Sequence, residues 1–392
     1  MKEAFAICKK LKSAGILQVC FLLLMIAACR REVSPTGDAA TEAAARFDDR
    51  TMALSTTFPL EYRGLLNLSV ARGDLSSTAC NGQFFFGGGR TVLNNGTSVF
   101  HPTVDIFNAT DLSRTTARLS LPRYWLSAGA LGDKVFFAGG MSAVGHSNRV
   151  DIYDTRTKTW SIAQLSQPRY LIAVASTRGQ IIFAGGITFN SQKSNVVDIY
   201  DAATNSWSAT TMTNIKGIMA GAAAGTTTVF AGGDNGGQGI VTKAVVFNAN
   251  PLLQTVYPLN WHNCDYLSAI AVGSKVMFAG GYNYPLSNRI SVYDTPSKSW
   301  SQQELSEARL GIATFRLDKF AVFAGGSLAN AGVSDRLDAY DSDGNAYSMK
   351  LKYQWWPLAA SGLGNMALIA VNASYNPLGQ IMIYTLDESS LP

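Results

Sequence analysis

Histidine and cysteine side chains are the residues of this sequence that could bind a catalytic metal, and they are few. The chain has three histidines, His101, His146 and His262, and five cysteines among its 392 residues. Copper and zinc sites need several nitrogen, sulfur or carboxylate ligands, usually at recognisable spacings. Neither His101 with His146 nor His262 with Cys264 has such a spacing. We therefore expect no metal site and no cofactor, and we expect His101 and His146 to lie at the surface.

Sequence motifs of catalysis are also missing. The GxSxG pattern of serine hydrolases, a glycine-rich phosphate-binding loop and a recognisable carboxylate pair do not occur. Residues 341–345 (DSDGN) begin like a calcium-binding loop but lack its closing glutamate. The sequence therefore favours a protein that binds its ligand without changing it. A single carboxylate, histidine or arginine in a pocket could still act as an acid or a base.

Arginine and aromatic side chains form the strongest candidate for a binding surface. At several places an arginine precedes a pair of glycines at one fixed spacing, with aromatic residues close behind the arginine. Arginine offers charge-assisted hydrogen bonds, and aromatic rings offer a wide contact area. The predicted ligand-binding residues are Arg123, Trp125, Arg169, Tyr170, Trp261, His262, Tyr282, Tyr284, Arg309 and Trp355. In the alternative interpretation, the arginines join neighbouring structural units through backbone carbonyl groups, and the aromatic residues belong to the core.

A long sequence repeat must position these side chains. Apolar segments that end in a glycine pair recur with their first glycine at Gly88, Gly139, Gly185, Gly232, Gly280 and Gly325. These glycines are 45 to 51 residues apart, and a degenerate seventh copy, ALIAVN, follows. β-Branched and aromatic residues favour strands, and repeats of this length are typical of propeller blades. The sequence therefore predicts a fold built from seven similar sheets.

The repeat resembles that of the Kelch family, which carries a glycine pair, a Tyr-Asp pair, a spaced tryptophan and a Pro-Arg pair. These features occur here as Gly139, Tyr153-Asp154, Trp160 and Pro168-Arg169, and the resemblance covers roughly residues 64–386. It implies an all-β fold, a seven-bladed β-propeller of four-stranded Kelch blades. It also implies that ligands bind at the loops. Some Kelch propellers are sugar-active enzymes, either copper radical oxidases resembling galactose oxidase or sialic acid mutarotases.

The seventh predicted blade shows only three strands before the chain ends. The segment Leu68-Ser69-Val70-Ala71-Arg72 has the pattern of Leu165-Ser166-Gln167-Pro168-Arg169, and both arginines have the same spacing to the glycine pair that follows. The residues before it, near Tyr62 to Leu68, are therefore predicted to form the outer strand of the last blade. Such closure removes free sheet edges and holds the two ends of the propeller together.

Repeat length varies mainly in the loop between the second and third strands of each predicted blade. The distance from the first glycine of the pair to the aromatic residue of the following predicted strand ranges from 13 to 19 residues. Because neighbouring strands are antiparallel, this loop lies on the same face as the connection that leads into the inner strand of the next blade. We call this the loop face, and we predict that it recognises a protein or a glycan.

The N-terminus is typical of an exported protein. Lysines precede an apolar stretch from Ala14 to Ala28, which is shorter than the roughly 20 residues that span a bilayer. Residues 1–28 are therefore predicted to be a signal peptide. The sequence LMIAAC, which ends at Cys29, resembles a lipobox and predicts a lipid on Cys29 and a place in the cell envelope. The alternative is an ordinary secretory signal and an extracellular protein. Residues 29–57 are predicted to be a flexible tether, followed by the propeller at 58–392.

Charge and the remaining cysteines add two further expectations. The formal net charge is +5, and no basic run or arginine-rich face suggests nucleic acid. Cys80 and Cys264 fall in predicted blades that are not adjacent, so we expect buried thiols rather than a disulfide. The sequence thus predicts an exported, monomeric Kelch-type scaffold that binds a protein or a glycan. A sugar-active enzyme of the oxidase or mutarotase type is the alternative.

Overall fold

Seven four-stranded antiparallel sheets follow one another along the chain as blades I to VII. They are seen in a computed structural model that describes residues 56–213, 217–233, 243–248, 254–258, 266–282, 285–330, 332–353, 356–373 and 376–390. The first strand of each blade contacts the first strands of its neighbours, which arranges the blades around a central axis. The predicted seven-bladed β-propeller is thereby confirmed. The predicted signal peptide and Cys29 lie outside the described residues.

The strands of each blade run from the inner strand to the outer strand. Blade I contains Ser76–Cys80, Gln83–Gly87, Thr103–Asn108 and Arg114–Arg118. Blade II contains Ser127–Leu131, Lys134–Ala138, Arg149–Asp154 and Thr159–Gln164. Blade III contains Ala173–Ser176, Gln180–Ala184, Val196–Asp201 and Ser206–Thr211. Blade IV contains Ala220–Ala224, Thr227–Ala231, Lys243–Asn248 and Gln254–Pro258.

The other three blades have the same order. Blade V contains Ser268–Val272, Lys275–Ala279, Arg289–Asp294 and Ser299–Glu304. Blade VI contains Ala313–Leu317, Phe320–Ala324, Arg336–Tyr340 and Ala346–Lys350. Blade VII contains Trp356–Leu363, Met366–Ala373, Asn376–Leu386 and the N-terminal strand Leu60–Asn67. Short 3-10 helices span Phe189–Ser191 and Glu388–Ser390.

The N-terminal strand closes the ring as the sequence predicts. Leu60–Asn67 pairs antiparallel with Asn376–Leu386, in a register that places Leu60 opposite Leu386. The preceding strand, Thr56–Thr57, pairs parallel with the outer strand of blade VI, so pairing begins before the predicted start of the propeller at residue 58. Both ends of the described chain are therefore held in neighbouring blades.

The hydrophobic core lies between the blades rather than within any one of them. Phe136 of blade II packs against Phe183 and Trp207 of blade III, with ring centroids 6.3 and 6.5 Å apart. Phe84 of blade I belongs to a cluster with Leu368 of blade VII, so the core continues across the point of closure. The second strands are apolar at nearly every position because neighbouring blades cover both of their faces.

The glycine pairs permit this close packing. Gly139 has a φ of +66°, and a Cβ atom there would lie 2.5 Å from the carbonyl oxygen of Arg169 in the connection to the next blade. The same carbonyl accepts a hydrogen bond of 2.8 Å from the backbone of Gly140. Only glycine has both the left-handed backbone freedom and the absence of a side chain that this contact needs. Gly88, Gly185 and Gly280 approach the next connection in the same way, so these pairs also join one blade to the next.

Two short hairpins extend the loops that join the second and third strands. Arg90–Val92 pairs with Ser98–Phe100 in blade I, and Met141–Ser142 pairs with Gly145–His146 in blade II. The connections into the inner strands bond to these loops, as in the bridge between Tyr124 and Met141. In blades I, II, III and VI, these bridges place the connection and the loop on the same face, as the sequence predicts. Among the described residues, no helix has the length and apolar character required to cross a membrane.

Candidate ligand-binding face

The arginines that precede the glycine pairs are buried within the blades. Arg123, Arg169 and Arg309 have no exposed surface. Nη1 of Arg123 donates to the carbonyl oxygens of Gly139 at 2.5 Å and Arg149 at 2.7 Å. A guanidinium group held in this way cannot touch a ligand on the loop face. The geometry therefore favours the alternative interpretation, in which these three arginines tie backbone segments together, and it removes them from the candidate surface.

These three arginines and Arg72, the equivalent residue of blade I, each form an ion pair with a buried aspartate of the third strand. The pairs are Arg72–Asp105, Arg123–Asp151, Arg169–Asp198 and Arg309–Asp338. The same aspartates accept hydrogen bonds of 2.8 to 3.2 Å from the backbone N–H groups of Ser69, Ser120, Ser166 and Ser306. Arginine and aspartate together thus fasten the incoming connection to its blade. Burial lowers the pKa of Arg123, while the charge of Asp151 acts in the opposite direction. The guanidinium group stays charged.

The sequence itself contains a signal for this pairing of arginine with aspartate. Three blades lack the arginine and have Lys216, Cys264 and Trp355 at that position. The same three blades also lack the aspartate and have Val245, Ser291 and Met382 instead. The two positions therefore change together among the repeats of one chain. Such joint change is expected of two residues in contact, because either charge alone would be buried without a partner.

An aromatic row crosses the loop face from blade I to blade III. It consists of Tyr124, Trp125, Tyr170, His146 and Phe189. The rings of Trp125 and Tyr170 stack with centroids 5.5 Å apart, and His146 stacks on Tyr170 at 5.2 Å. Phe189 meets the His146 ring edge-on at 6.2 Å. The row therefore links the connections and the loops of three blades into one surface.

Arg90 continues this row toward the first blade. Its guanidinium carbon lies 4.4 Å from the ring centroid of Tyr124 and 5.3 Å from that of Trp125. Its Nε atom also donates to Asp74 at 2.6 Å, and the backbones of Arg90 and Gly73 form two hydrogen bonds. Cation–π contacts of this kind hold an arginine flat against aromatic rings. The sequence pattern did not reveal Arg90, because it precedes no glycine pair.

The backbone at several of the connections turns one position of the repeat outward. Asp74, Trp125, Leu171 and Gly311 occupy equivalent positions and have φ values of +51° to +63°. A Cβ atom at Gly311 would meet nothing within 4 Å, so this position faces open space. Left-handed φ values are unfavourable for tryptophan and leucine. The fold nonetheless holds Trp125 in this conformation, which places its indole beside Tyr170.

Exposed aliphatic and aromatic side chains cluster beside the aromatic row. Val144 is 91% exposed and Phe189 is 72% exposed, and both lie in loops between second and third strands. Val92, Leu93 and Val99 of the blade I hairpin are also exposed. A concentration of large apolar side chains in contact with water is unusual on a folded protein and marks surfaces that bind partners. These loops of blades I to III are therefore the part of the described loop face best suited to a ligand.

A cavity of about 460 Å³ lies on the propeller axis among the starts of the inner strands. Its lining combines apolar residues such as Leu75, Leu126 and Ile172 with serine and threonine. Ser127 donates to the carbonyl oxygen of Ile172 at 2.6 Å, so its hydroxyl group serves to join two blades. Of the described residues that line the cavity, none carries a carboxylate, imidazole, amine or guanidinium group. The cavity could hold an apolar group but offers no acid or base.

The remaining predicted site residues divide into three groups. Tyr170 lies in the aromatic row and is almost wholly buried, so only part of it could reach a ligand. Tyr282 is half-buried at the start of the blade V loop, where it bridges to Leu286. The predictions for Trp261, His262, Tyr284 and Trp355 lie outside the described residues. Among the described members of the predicted set, the structure therefore brings the rings of Trp125 and Tyr170 into contact.

The histidines and the cysteine in the described part of the chain have structural partners. Nε2 of His101 lies 2.9 Å from the hydroxyl group of Thr91, and burial together with the charge of Arg72 lowers the pKa of His101. Cys80 is buried, as predicted, and its thiol lies 3.3 Å from the carbonyl oxygen of Gly132. Within the described ranges, no three histidine, cysteine or acidic side chains are placed to share a metal ion.

Comparisons with known proteins agree with this architecture. The family model for the Kelch motif matches residues 122–164 and 168–210, which cover most of blades II and III with the connection between them. The solved structure titled "Structure of YjhT" is 14% identical, with a TM-score of 0.54, and the match covers 72% of this chain and 99% of that chain. This likeness concerns the fold alone. A search of curated proteins finds no match.

Proposed function

Because the chain is a seven-bladed β-propeller of Kelch type, we propose that it is a binding scaffold that recognises a macromolecular ligand on its loop face and does not transform it. The aromatic row and the exposed apolar loops of blades I to III carry this proposal. Exposed aromatic and aliphatic side chains supply the binding energy of interfaces when a partner covers them. The ligand would be a protein or a glycan.

The axial cavity supports binding rather than catalysis. A sugar-active enzyme must bring an acid, a base or a redox metal to its substrate. The described lining of the cavity holds apolar, serine and threonine side chains and no aromatic ring. A loop face with exposed apolar side chains around an uncharged cavity is the arrangement expected of a binding module. The oxidase or mutarotase alternative has no comparable support among the described side chains.

We further propose that the protein works outside the cytoplasm, on the basis of residues 1–28 and Cys29. A lipid on Cys29 would tether the propeller to a membrane through residues 29–55 and leave the loop face free to meet an extracellular ligand. Mass spectrometry of the mature N-terminus tests this proposal. A diacylglyceryl group on an N-terminal Cys29 is the expected result, and an unmodified terminus elsewhere would rule out the lipid anchor.

A pair of loop-face substitutions tests the binding function. Trp125→Ala combined with Phe189→Ala should abolish capture of ligands from extracellular protein extracts and from a glycan array. The matched control is Ile162→Ala, which removes a side chain that is 55% exposed on the outer strand of blade II. Both variants should melt within a few degrees of the unchanged protein. Equal capture by the double variant and the unchanged protein would show that the ligand does not bind here.

A further inference from the structure

The loops and connections of blades I to III have a strongly one-sided charge. Residues 67–76, 87–103, 118–127, 138–149, 164–173 and 184–196 contain one acidic residue, Asp74. That carboxylate is already paired with Arg90. The same segments carry Arg118, which is exposed, and Arg149 and Lys193, which are partly exposed. A surface of this kind attracts carboxylates and repels basic partners.

The apolar side chains that accompany these charges are mostly aliphatic. Val144 is 91% exposed at the tip of the blade II hairpin, and Leu93 is 45% exposed at the tip of the blade I hairpin. Valine and leucine offer neither hydrogen bonds nor flat rings to a sugar. They gain free energy only when another apolar surface excludes water from them. Their position on the hairpin tips therefore favours a ligand with apolar side chains of its own.

The aromatic faces that a glycan would need are already engaged. Trp125 stacks on Tyr170 with an interplanar angle of 15° and also contacts the guanidinium group of Arg90. Tyr170 stacks in turn on His146. Sugars bind proteins by lying on open aromatic faces beside groups that form hydrogen bonds. In the aromatic row only Phe189, which meets His146 edge-on, is largely exposed.

We propose that the loop face of blades I to III binds a protein partner through a segment in which apolar side chains are flanked by carboxylates. The apolar side chains would cover Val144, Phe189 and the tip of the blade I hairpin. The carboxylates would lie against Arg118, Arg149 and Lys193. This inference rests on the proposed binding function and names the chemistry of its ligand. Charge complementarity favours an acidic partner, because these loops offer basic groups and their one carboxylate, that of Asp74, is paired with Arg90.

Peptide selection tests the inference directly. The purified full-length protein is used to select from a display library of random peptides, and the selected sequences are then synthesised for affinity measurements. Leucine, isoleucine or aromatic residues beside aspartate or glutamate should be enriched. Affinity should fall as salt is raised, because exposed charge pairs are screened. Replacing the acidic residues by their amides should weaken binding about tenfold or more. Unchanged affinity of the amide peptides, or selection of lysine-rich peptides, would overturn the inference.

Matched variants locate the binding site. The combination Arg118→Gln, Arg149→Gln and Lys193→Gln should lower the affinity of the selected peptides about tenfold. The control combination Arg156→Gln, Lys158→Gln and Arg178→Gln removes three exposed charges from the opposite face of blades II and III and should leave affinity unchanged. Equal effects of the two combinations would overturn the inference, because any loss would then reflect net charge alone.

An acidic glycan distinguishes the inference of a protein partner from the broader proposal that the loop face binds a macromolecular ligand. Oligogalacturonate carries carboxylates without apolar side chains and is tested beside the peptides. If it binds in a way that Phe189→Ala abolishes while no acidic peptide binds, the protein-partner inference fails and a binding role of the loop face stands. If Trp125→Ala with Phe189→Ala leaves all binding unchanged, the proposed function of this face fails as well.

Discussion

At the scale of single residues, the buried arginine and aspartate pairs explain how each connection is held to its blade. Arg123 donates to three backbone carbonyl oxygens and to Asp151, and Asp151 accepts a hydrogen bond from the backbone of Ser120. Bringing two charges into the protein interior is costly, and their mutual attraction offsets that cost only when both are present. The pair therefore specifies the position of the connection more than it adds to the free energy of unfolding.

A double-mutant cycle on this pair measures that coupling. Asp151→Ala should lower the free energy of unfolding by about 3–5 kcal/mol, because it leaves the guanidinium group of Arg123 buried without a counter-charge. Arg123→Leu combined with Asp151→Ala should cost less than the sum of the single changes, since no charge then remains. Urea unfolding measures the free energy of unfolding of the unchanged protein, the two single variants and the double variant.

The control for this cycle is an exposed ion pair of blade VI. Lys350 and Asp335 are 3.7 Å apart, and the lysine side chain is 63% exposed. Lys350→Ala should change the free energy of unfolding by at most about 1 kcal/mol. Additive effects of Asp151→Ala and Arg123→Leu would show that the buried pair is not energetically coupled.

The positions of the arginines could be predicted from the sequence, but two interpretations of their role stayed open. The arginines could contact a ligand, or they could join structural units through backbone carbonyl groups. The fixed spacing between each arginine and its glycine pair is visible in the repeat, whereas the burial of the arginine depends on an aspartate in a later strand of the blade. Without that partner, arginine is normally an exposed residue. Three blades lack both the arginine equivalent to Arg123 and the aspartate equivalent to Asp151. This joint absence is the signal in the sequence that indicates the pairing.

At the scale of elements, the contact between one blade and the next depends on the glycine pairs. Gly88, Gly139 and Gly280 have φ values of +66° to +70° and approach the carbonyl oxygens of Arg123, Arg169 and Arg309. The sequence predicted a need for glycine at these positions because a Cβ would block close packing. What it could not show was the partner, since the carbonyl belongs to the following repeat.

A comparison of Gly139→Ala with Gly132→Ala should separate the free-energy cost of steric contact from that of backbone strain. A methyl group there would lie 2.5 Å from the carbonyl oxygen of Arg169, so Gly139→Ala should cost about 3–5 kcal/mol in the free energy of unfolding. The matched control is Gly132, which has a φ of +57° and no atom within 4 Å of an added Cβ. Gly132→Ala should cost about 1–2 kcal/mol from strain alone. Similar losses for the two variants in urea unfolding would contradict the packing explanation.

The hairpins of the loop face show where sequence reasoning stopped. The blade I loop was recognised as the longest, but its paired strands were not predicted. Asn95-Gly96 lies between apolar segments and is a typical signal for a tight hairpin turn; Gly96 has a φ of +81°. The contact of Arg90 with Tyr124 and Trp125 follows from this hairpin and joins a loop of blade I to the connection that leads into blade II. Such contacts depend on the packing of neighbouring blades and leave no local pattern.

At the scale of the whole molecule, a propeller is complete only when its first and last blades are joined. Phe58 packs between blades VI and VII, with its ring centroid 5.1 Å from that of Phe320. The strand Leu60–Asn67 covers the edge of Asn376–Leu386 from Gln380 to Leu386. The repeat predicted this closure because the segment around Arg72 matches the connections that follow other outer strands. The parallel pairing of Thr56–Thr57 had no counterpart in the repeat and was not predicted.

Removal of the N-terminal strand should therefore destabilise the entire ring. A chain that begins at Arg72 lacks Phe58, Leu60 and Leu68, all of which are buried, and leaves the edge of Asn376–Leu386 without a partner. Its thermal midpoint should fall well below that of a chain beginning at Thr56, and its open edge should promote self-association. Circular dichroism and light scattering measure the two effects.

A synthetic peptide of residues 56–71 provides the control for this truncation. If closure is the cause of the lost stability, an excess of the peptide should bind the chain that begins at Arg72 and raise its midpoint in proportion to the logarithm of peptide concentration. A peptide with alanine in place of Phe58 and Leu60 should restore much less, because Phe58→Ala alone removes about 3–5 kcal/mol of packing. If the chains that begin at Thr56 and at Arg72 melt together, the ring does not depend on its N-terminal strand. Blades I to VI with three strands of blade VII would then be the stable unit.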